Sequence, residues 1–279
     1  MSTFTTSDGC VLDYRDTETS ASGRTLVLLH GWSQSRALYD RVIPALASEH
    51  RVVSLDQRGH GESPWTGSGA RIARLAADLH ELLEHLGIES ADMAGHSMGA
   101  SVLWSYIDNY GTGRLRSLIV LDQPSACTVL PWMDADEAAA AGAILSFEGA
   151  EGFVAGLNGP EVETVRHDFL RSMLTPGISD EDFAIILAEN LKPDAGFVSR
   201  LLLDHVMQDW RDMLGAIDVP TLVTAGEVSH VAPASQRWTA EHIPNAELYV
   251  FSEAEGGAHF PFFEAPEPFV AVLLKFLSA

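Results

Sequence analysis

Short apolar runs alternate with amphipathic stretches through the first half of the chain. The segments "TLVLLHG" (25–31), "RVVSLD" (51–56) and "SLIVLD" (117–122) carry Val, Ile and Leu with little polar interruption. That pattern suits strands buried on both faces. Between them, residues 71–86 place Leu75, Leu79, Leu82, Leu83 and Leu86 on one helical face, and Gly87 is placed to end the helix. The stretch "RALYDRVIPALA" (36–47) predicts another helix, bent at Pro44. A weaker strand, "SADMAG" (90–95), runs into a helical pattern at "MGASVLWSYIDNYG" (98–111). Strands alternating with helices imply an α/β fold: a mostly parallel sheet with helices on both faces.

The rhythm changes after about Thr128. Helical patterns at "DADEAAAAGAILSF" (134–147), "VETVRHDFLRSML" (162–174) and "DEDFAIILAENL" (180–191) follow one another without a convincing strand. The βα alternation resumes with "VPTLVTAG" (219–226), "ASQRWTAEHI" (234–243), "AELYVF" (246–251) and "PEPFVAVLLKFL" (266–277). Three parts are therefore expected: a sheet-forming part over 1–127, a helical insertion over 128–215, and the rest of the sheet over 216–279.

Composition narrows the field. A chain of 279 residues with 46% hydrophobic content builds one large core with room for an insertion. A net charge of −22 repels nucleic acid and anionic lipid, so neither is an expected partner. The sequence lacks an apolar run long enough to span a bilayer and a basic-plus-apolar leader at "MSTFTTSDGC". The expectation is a cytoplasmic protein. Cys10 and Cys127 fit neither a disulfide framework nor a metal spacing and are expected to be buried thiols. No metal or other cofactor is expected.

The candidate chemistry begins at "GHSMG" (95–99), where Ser97 stands between two glycines at a strand-to-helix junction. Taken alone, the pattern fits either a nucleophile elbow or an ordinary glycine-rich βα turn. Ligands of an open parallel sheet sit beyond the carboxyl ends of its strands. Those ends carry His30, Asp56, Ser97, Asp122 and Glu227, and the loop "SEAEGGAHFPFF" (252–263) brings His259. Serine, carboxylate and histidine thus reach one edge in the order Ser, Asp, His.

The layout resembles the α/β-hydrolase fold superfamily over nearly the whole chain. Its marks are "HGW" (30–32), "DQRGHGESP" (56–64), "GHSMG" and "GGAHFPFFEAPEPF" (256–269). The resemblance implies that the helical insertion is a cap over the pocket. It also implies Ser97 as nucleophile and His259 as the base that activates it. Most relatives carry their acid three residues past a glycine after the strand that follows the cap. In "GEVSH" that position holds Ser229. Some lipase, dehalogenase and lactonase relatives carry the acid one strand earlier, which selects Asp122, with Glu227 as the alternative. The oxyanion hole is expected from the backbone N–H groups of Met98 and Trp32.

Trp32, His96 and Trp132 are candidate substrate contacts, and Phe147, Phe153 and Trp210 are aromatics that pack the cap or shape its pocket. His30 and the "DQRGHGESP" turn with His60 read as scaffold. His230 reads as either a pocket residue or an exposed one.

Two activities follow. The first is hydrolysis of a small, largely apolar ester or lactone through an acyl-enzyme, with perhydrolysis as a side activity shared with cofactor-free chloroperoxidase-like relatives. The second rests on a likeness to cofactor-free 3-hydroxy-4-quinolone dioxygenases, in which the His/Asp pair acts as base on the substrate hydroxyl. Gln34 stands where some of those relatives carry a histidine. A receptor without catalysis is the third class, and an intact triad argues against it. Dehalogenase and epoxide hydrolase chemistry needs a carboxylate at position 97.

Overall fold

A computed structural model describes residues 2–18 and 23–278. Its strands are β1 (Ser2–Thr5), β2 (Val11–Asp16), β3 (Thr25–Leu29), β4 (Arg51–Leu55), β5 (Ala91–His96), β6 (Leu115–Leu121), β7 (Thr221–Gly226) and β8 (Ala246–Phe251). They form one eight-stranded sheet in the order β1-β2-β4-β3-β5-β6-β7-β8. The strands β3 to β8 run parallel. An antiparallel hairpin, β1 and β2, extends the β4 edge. This hairpin was not foreseen, because its strands are short, polar and half exposed.

Pleating divides the core into two layers. In β3, Val27 and Leu29 join the layer under helices Ile72–His85 and Met98–Tyr110, with Leu75, Leu79 and Trp104. Leu26 and Leu28 point to the other face, where Ile119, Phe269, Leu273 and Leu277 pack under the last helix, Pro266–Leu277. This alternation accounts for the uninterrupted apolar runs. The weak-looking β5 is wholly buried between β3 and β6.

The expected helix over 36–47 is broken. A 3₁₀ turn, Arg36–Tyr39, is followed by a single helical turn, Ile43–Leu46, with Pro44 in its first turn. The proline lacks the N–H that a continuous helix would need there.

Five helices lie between β6 and β7: Ala135–Ala141, Phe147–Leu157, Val162–Ser172, Asp180–Leu191 and Ala195–Val206. Asp134, Ser146, Ser179 and Asp194 cap four of them by accepting N–H bonds from the first turn. Gly142 ends the first helix in the left-handed conformation. These helices are fastened over the carboxyl edge of the sheet. Trp32 Nε1–H donates to Val198 O at 2.8 Å. Ser33 Oγ–H donates to Asn190 O at 2.8 Å and accepts from Arg166 Nη2 at 2.6 Å. No helix of the described residues is long and apolar enough to cross a membrane.

Candidate active site

Ser97 links β5 to the helix Met98–Tyr110 with φ 51° and ψ −123°. A non-glycine residue reaches this region only under tertiary constraint. The constraint is steric. A Cβ on Gly95 would meet the backbone of Gly99 and Ala100 at 2.5 Å, and one on Gly99 would meet Leu29 O at 2.5 Å. Only glycines let strand, helix and the neighbouring β3 approach this closely. Ser33 (φ 56°) and Asp122 (φ 51°) are also strained, so the bends after β3, β5 and β6 all hold backbone strain.

Asp122 is buried directly after β6, and three groups donate to it. His259 Nδ1 lies 2.7 Å from Oδ2, Ser229 Oγ–H donates to the same oxygen at 2.6 Å, and Gly226 N–H reaches Oδ1 at 3.2 Å. With a carboxylate as acceptor, the His259 proton on this side belongs to Nδ1, which leaves Nε2 free to accept. The histidine loop is held by His259 N–H donating to Met173 O at 3.0 Å. His96 Nε2–H donates to His259 O at 2.8 Å. Ser229, at the position where most relatives carry their acid, thus bonds to the Asp122 carboxylate.

Ser97 and His259 open onto the same narrow cavity of about 40 Å³. Trp32, Gln34, Phe153, Phe169, Cys127, Leu202, His205 and His230 also line it. Among the described residues no hydrogen bond joins Ser97 Oγ to His259, and the N–H groups of Trp32 and Met98 have no acceptor.

The His259 ring lies between two other imidazoles, with centroids 4.5 Å from those of His96 and His230. Burial pushes both neighbours well below the usual imidazole value, and the adjacent His259 adds to it. Farther along the cavity, burial pushes the Cys127 thiol up to about 12 and His205 down to about 4. Cys10 and Cys127 are both buried and unpaired.

Two expected site residues lie elsewhere. Trp132 is 67% exposed and faces a separate surface pocket with Glu137, Asp209 and Arg211, because it precedes the first cap helix on the outside of the cap. Glu227 is exposed and accepts Glu253 N–H at 3.0 Å, so its carboxylate turns outward from the β7 end while Gly226 N–H faces Asp122. Phe147 is exposed, and Trp210 packs on Trp104. His230 lines the cavity, and nothing in its local sequence separates that from an exposed loop.

His30 and His60 bond within the scaffold. His30 Nε2 accepts Gln57 N–H at 3.0 Å, and His60 Nε2 accepts Ser33 N–H at 3.1 Å. In the turn after β4, Asp56 accepts backbone N–H groups from Arg36 and Glu62.

Such a sheet, with five helices over its carboxyl edge, is a known architecture, and residues 24–180 match the family described as alpha/beta hydrolase fold. The chain belongs to that family. It is 30% identical over 280 residues to the non-heme chloroperoxidase CPO-A1 of Kitasatospora aureofaciens, covering 93% of this chain and 92% of that one. A shorter match, 32% over 123 residues, links it to the 2-heptyl-3-hydroxy-4-quinolone dioxygenase AqdC2 of Rhodococcus erythropolis, covering 44% of this chain and 46% of the other. In three dimensions it superposes on the esterase EaEST of Exiguobacterium antarcticum with TM-score 0.88 at 19% identity, covering 100% and 99% of the two chains.

Proposed function

We propose that this member of the family is a serine hydrolase that cleaves small, largely apolar esters or lactones through an acyl-enzyme. The carrying observation is the 2.7 Å bond between Asp122 and His259 beside the cavity onto which Ser97 opens. In this reading His259 Nε2 removes the Ser97 Oγ proton as oxygen attacks the carbonyl carbon. The N–H groups of Met98 and Trp32 receive the oxyanion. Asp122 fixes the Nδ1–H tautomer and stabilises the imidazolium. His259 then returns the proton to the leaving alcohol, and water attacks the acyl-enzyme under the same base. Hydrogen peroxide in place of water would yield a peracid, which relates this chemistry to that of the haloperoxidase relatives. Substrate is a small apolar carbonyl compound, and the net charge of −22 disfavours nucleic acid or anionic lipid as partner.

The test is p-nitrophenyl acetate hydrolysis with a serine-directed fluorophosphonate as label. Burst release of p-nitrophenol, lost in Ser97→Ala, together with label on Ser97, is the expected outcome. Label on any other residue defeats the assignment.

A second reading, dioxygenation of a 3-hydroxy-4-quinolone, uses the same His259–Asp122 pair and draws support from the partial match to the dioxygenase. Oxygen uptake with carbon monoxide release on a quinolone would establish it instead.

A further inference from the structure

The cavity beside Ser97 is narrow, about 40 Å³. A second depression, of about 470 Å³, opens on the outer side of one cavity wall. The wall is shared: Ile144, Leu145, Phe169 and His230 line both spaces. On the outer side the lining continues with small residues, among them Ala139, Ala143, Ala232 and Ala234. This is an apolar trough without a charged side chain. Its one titratable member, His230, is held neutral by burial and by the neighbouring His259.

The wall's position sets its orientation to the chemistry. The ring of His230 is 4.5 Å from that of His259, whereas Trp32 and Gln34, on the loop after β3, line only the inner space. In acyl transfer the leaving oxygen must sit at the imidazole that protonates it, and the acyl group stays on the serine. The trough therefore lies on the leaving-group side.

We propose that the outer trough is the alcohol-side subsite, taking an apolar alkyl chain that crosses the wall at Phe169 and His230, whose rings stand in edge contact with centroids 6.3 Å apart and part to admit it, while the inner cavity admits only a short acyl group. This inference rests on the hydrolase reading and makes the substrate class an ester of a short acid with an apolar alcohol.

The experiment measures acetate release from methyl, butyl, hexyl and octyl acetate by pH-stat, and acid release from methyl butanoate and methyl hexanoate. Specificity, kcat/KM, should rise about twofold per methylene on the alcohol side, as expected for half-buried chain, and should fall as the acyl chain lengthens. Ala143→Trp, which fills the trough from the cap, should lower the octyl-to-methyl acetate ratio at least tenfold. Ala234→Trp does so from the opposite rim, should the first variant fold poorly. A flat alcohol series, an acyl-side preference, or an unchanged ratio in both variants overturns the subsite. Fluorophosphonate labelling of Ser97 separates the two levels. Label on Ser97 with a flat series removes the subsite alone. No label and no acid release removes the hydrolase reading and the subsite with it.

Discussion

Asp122→Asn tests the proposed chemistry most directly, because every neighbour of this carboxylate donates. Gly226 N–H is a backbone donor and cannot reverse. The asparagine amide must therefore turn its oxygen toward Gly226 and its NH₂ toward His259 and Ser229. The Ser229 hydroxyl can rotate to accept. His259 can accept at Nδ1 only by moving its proton to Nε2, where it faces Ser97 as a donor and no longer serves as base. Loss of the correct tautomer and of the charge facing the imidazolium should lower kcat on the order of 10⁴-fold, or about 5.5 kcal/mol of barrier. KM should stay within about threefold by the logic of an interaction made only in the transition state, since Asp122 does not line the cavity. All amide groups remain bonded, so unfolding free energy should change by no more than about 2 kcal/mol. Steady-state hydrolysis of p-nitrophenyl acetate, with urea unfolding of the same sample, reads both quantities. A kcat within tenfold of the parent would refute the tautomer argument and the role given to Asp122.

Three further outcomes are expected. In Asp122→Asn/Ser229→Asp, a carboxylate replaces the hydroxyl that sits 2.6 Å from Asp122 Oδ2. It should recover at least tenfold of the lost rate, and no recovery would show that position 229 cannot reach His259. His60 is buried with its value lowered to about 4, so its contribution to stability is fully present above about pH 6.5 and is lost as pH falls through 4. Its protonation also removes the acceptor for Ser33 N–H. Urea titrations at pH 7 and pH 4 should show His60→Gln losing about 3 kcal/mol less than the parent over that interval; equal losses would contradict this. Gly95→Ala forces a Cβ to within 2.5 Å of backbone. It should destabilise by about 3 kcal/mol and abolish labelling of Ser97, and a normally melting, normally labelled variant would disprove the packing account of the elbow.

The parallel sheet was legible because its strands are buried on both faces and read as apolar runs, as in "TLVLL" and "SLIVL". The helices Asp180–Leu191 and Pro266–Leu277 coincide with the amphipathic segments that announced them. The N-terminal hairpin lay below the threshold of pattern, since Ser2–Thr5 exposes three of its four residues. Strand ends placed Ser97, Asp122 and His259 at one rim because parallel strands deliver their carboxyl ends together. Side-chain direction was not legible. Glu227 and Gly226 are adjacent in sequence, yet only the glycine's N–H turns toward Asp122. Trp132 and Phe153 are both cap aromatics, and tertiary packing alone puts one outside and the other at the cavity. His230 entered the site through the path of the loop after β7, which no periodicity encodes.

The left-handed backbone at Ser33 and Ser97 has a thermodynamic corollary. Each such residue holds on the order of 1–3 kcal/mol of unfavourable torsion, which the rest of the fold must offset. Glycine relaxes that torsion at a smaller entropic penalty. Ser97→Gly, though inert as a nucleophile, should consequently melt a few degrees above the parent. In the hydrolase reading, the strain at this rim is the stability given up for turnover, and the tougher sequence is the silent one.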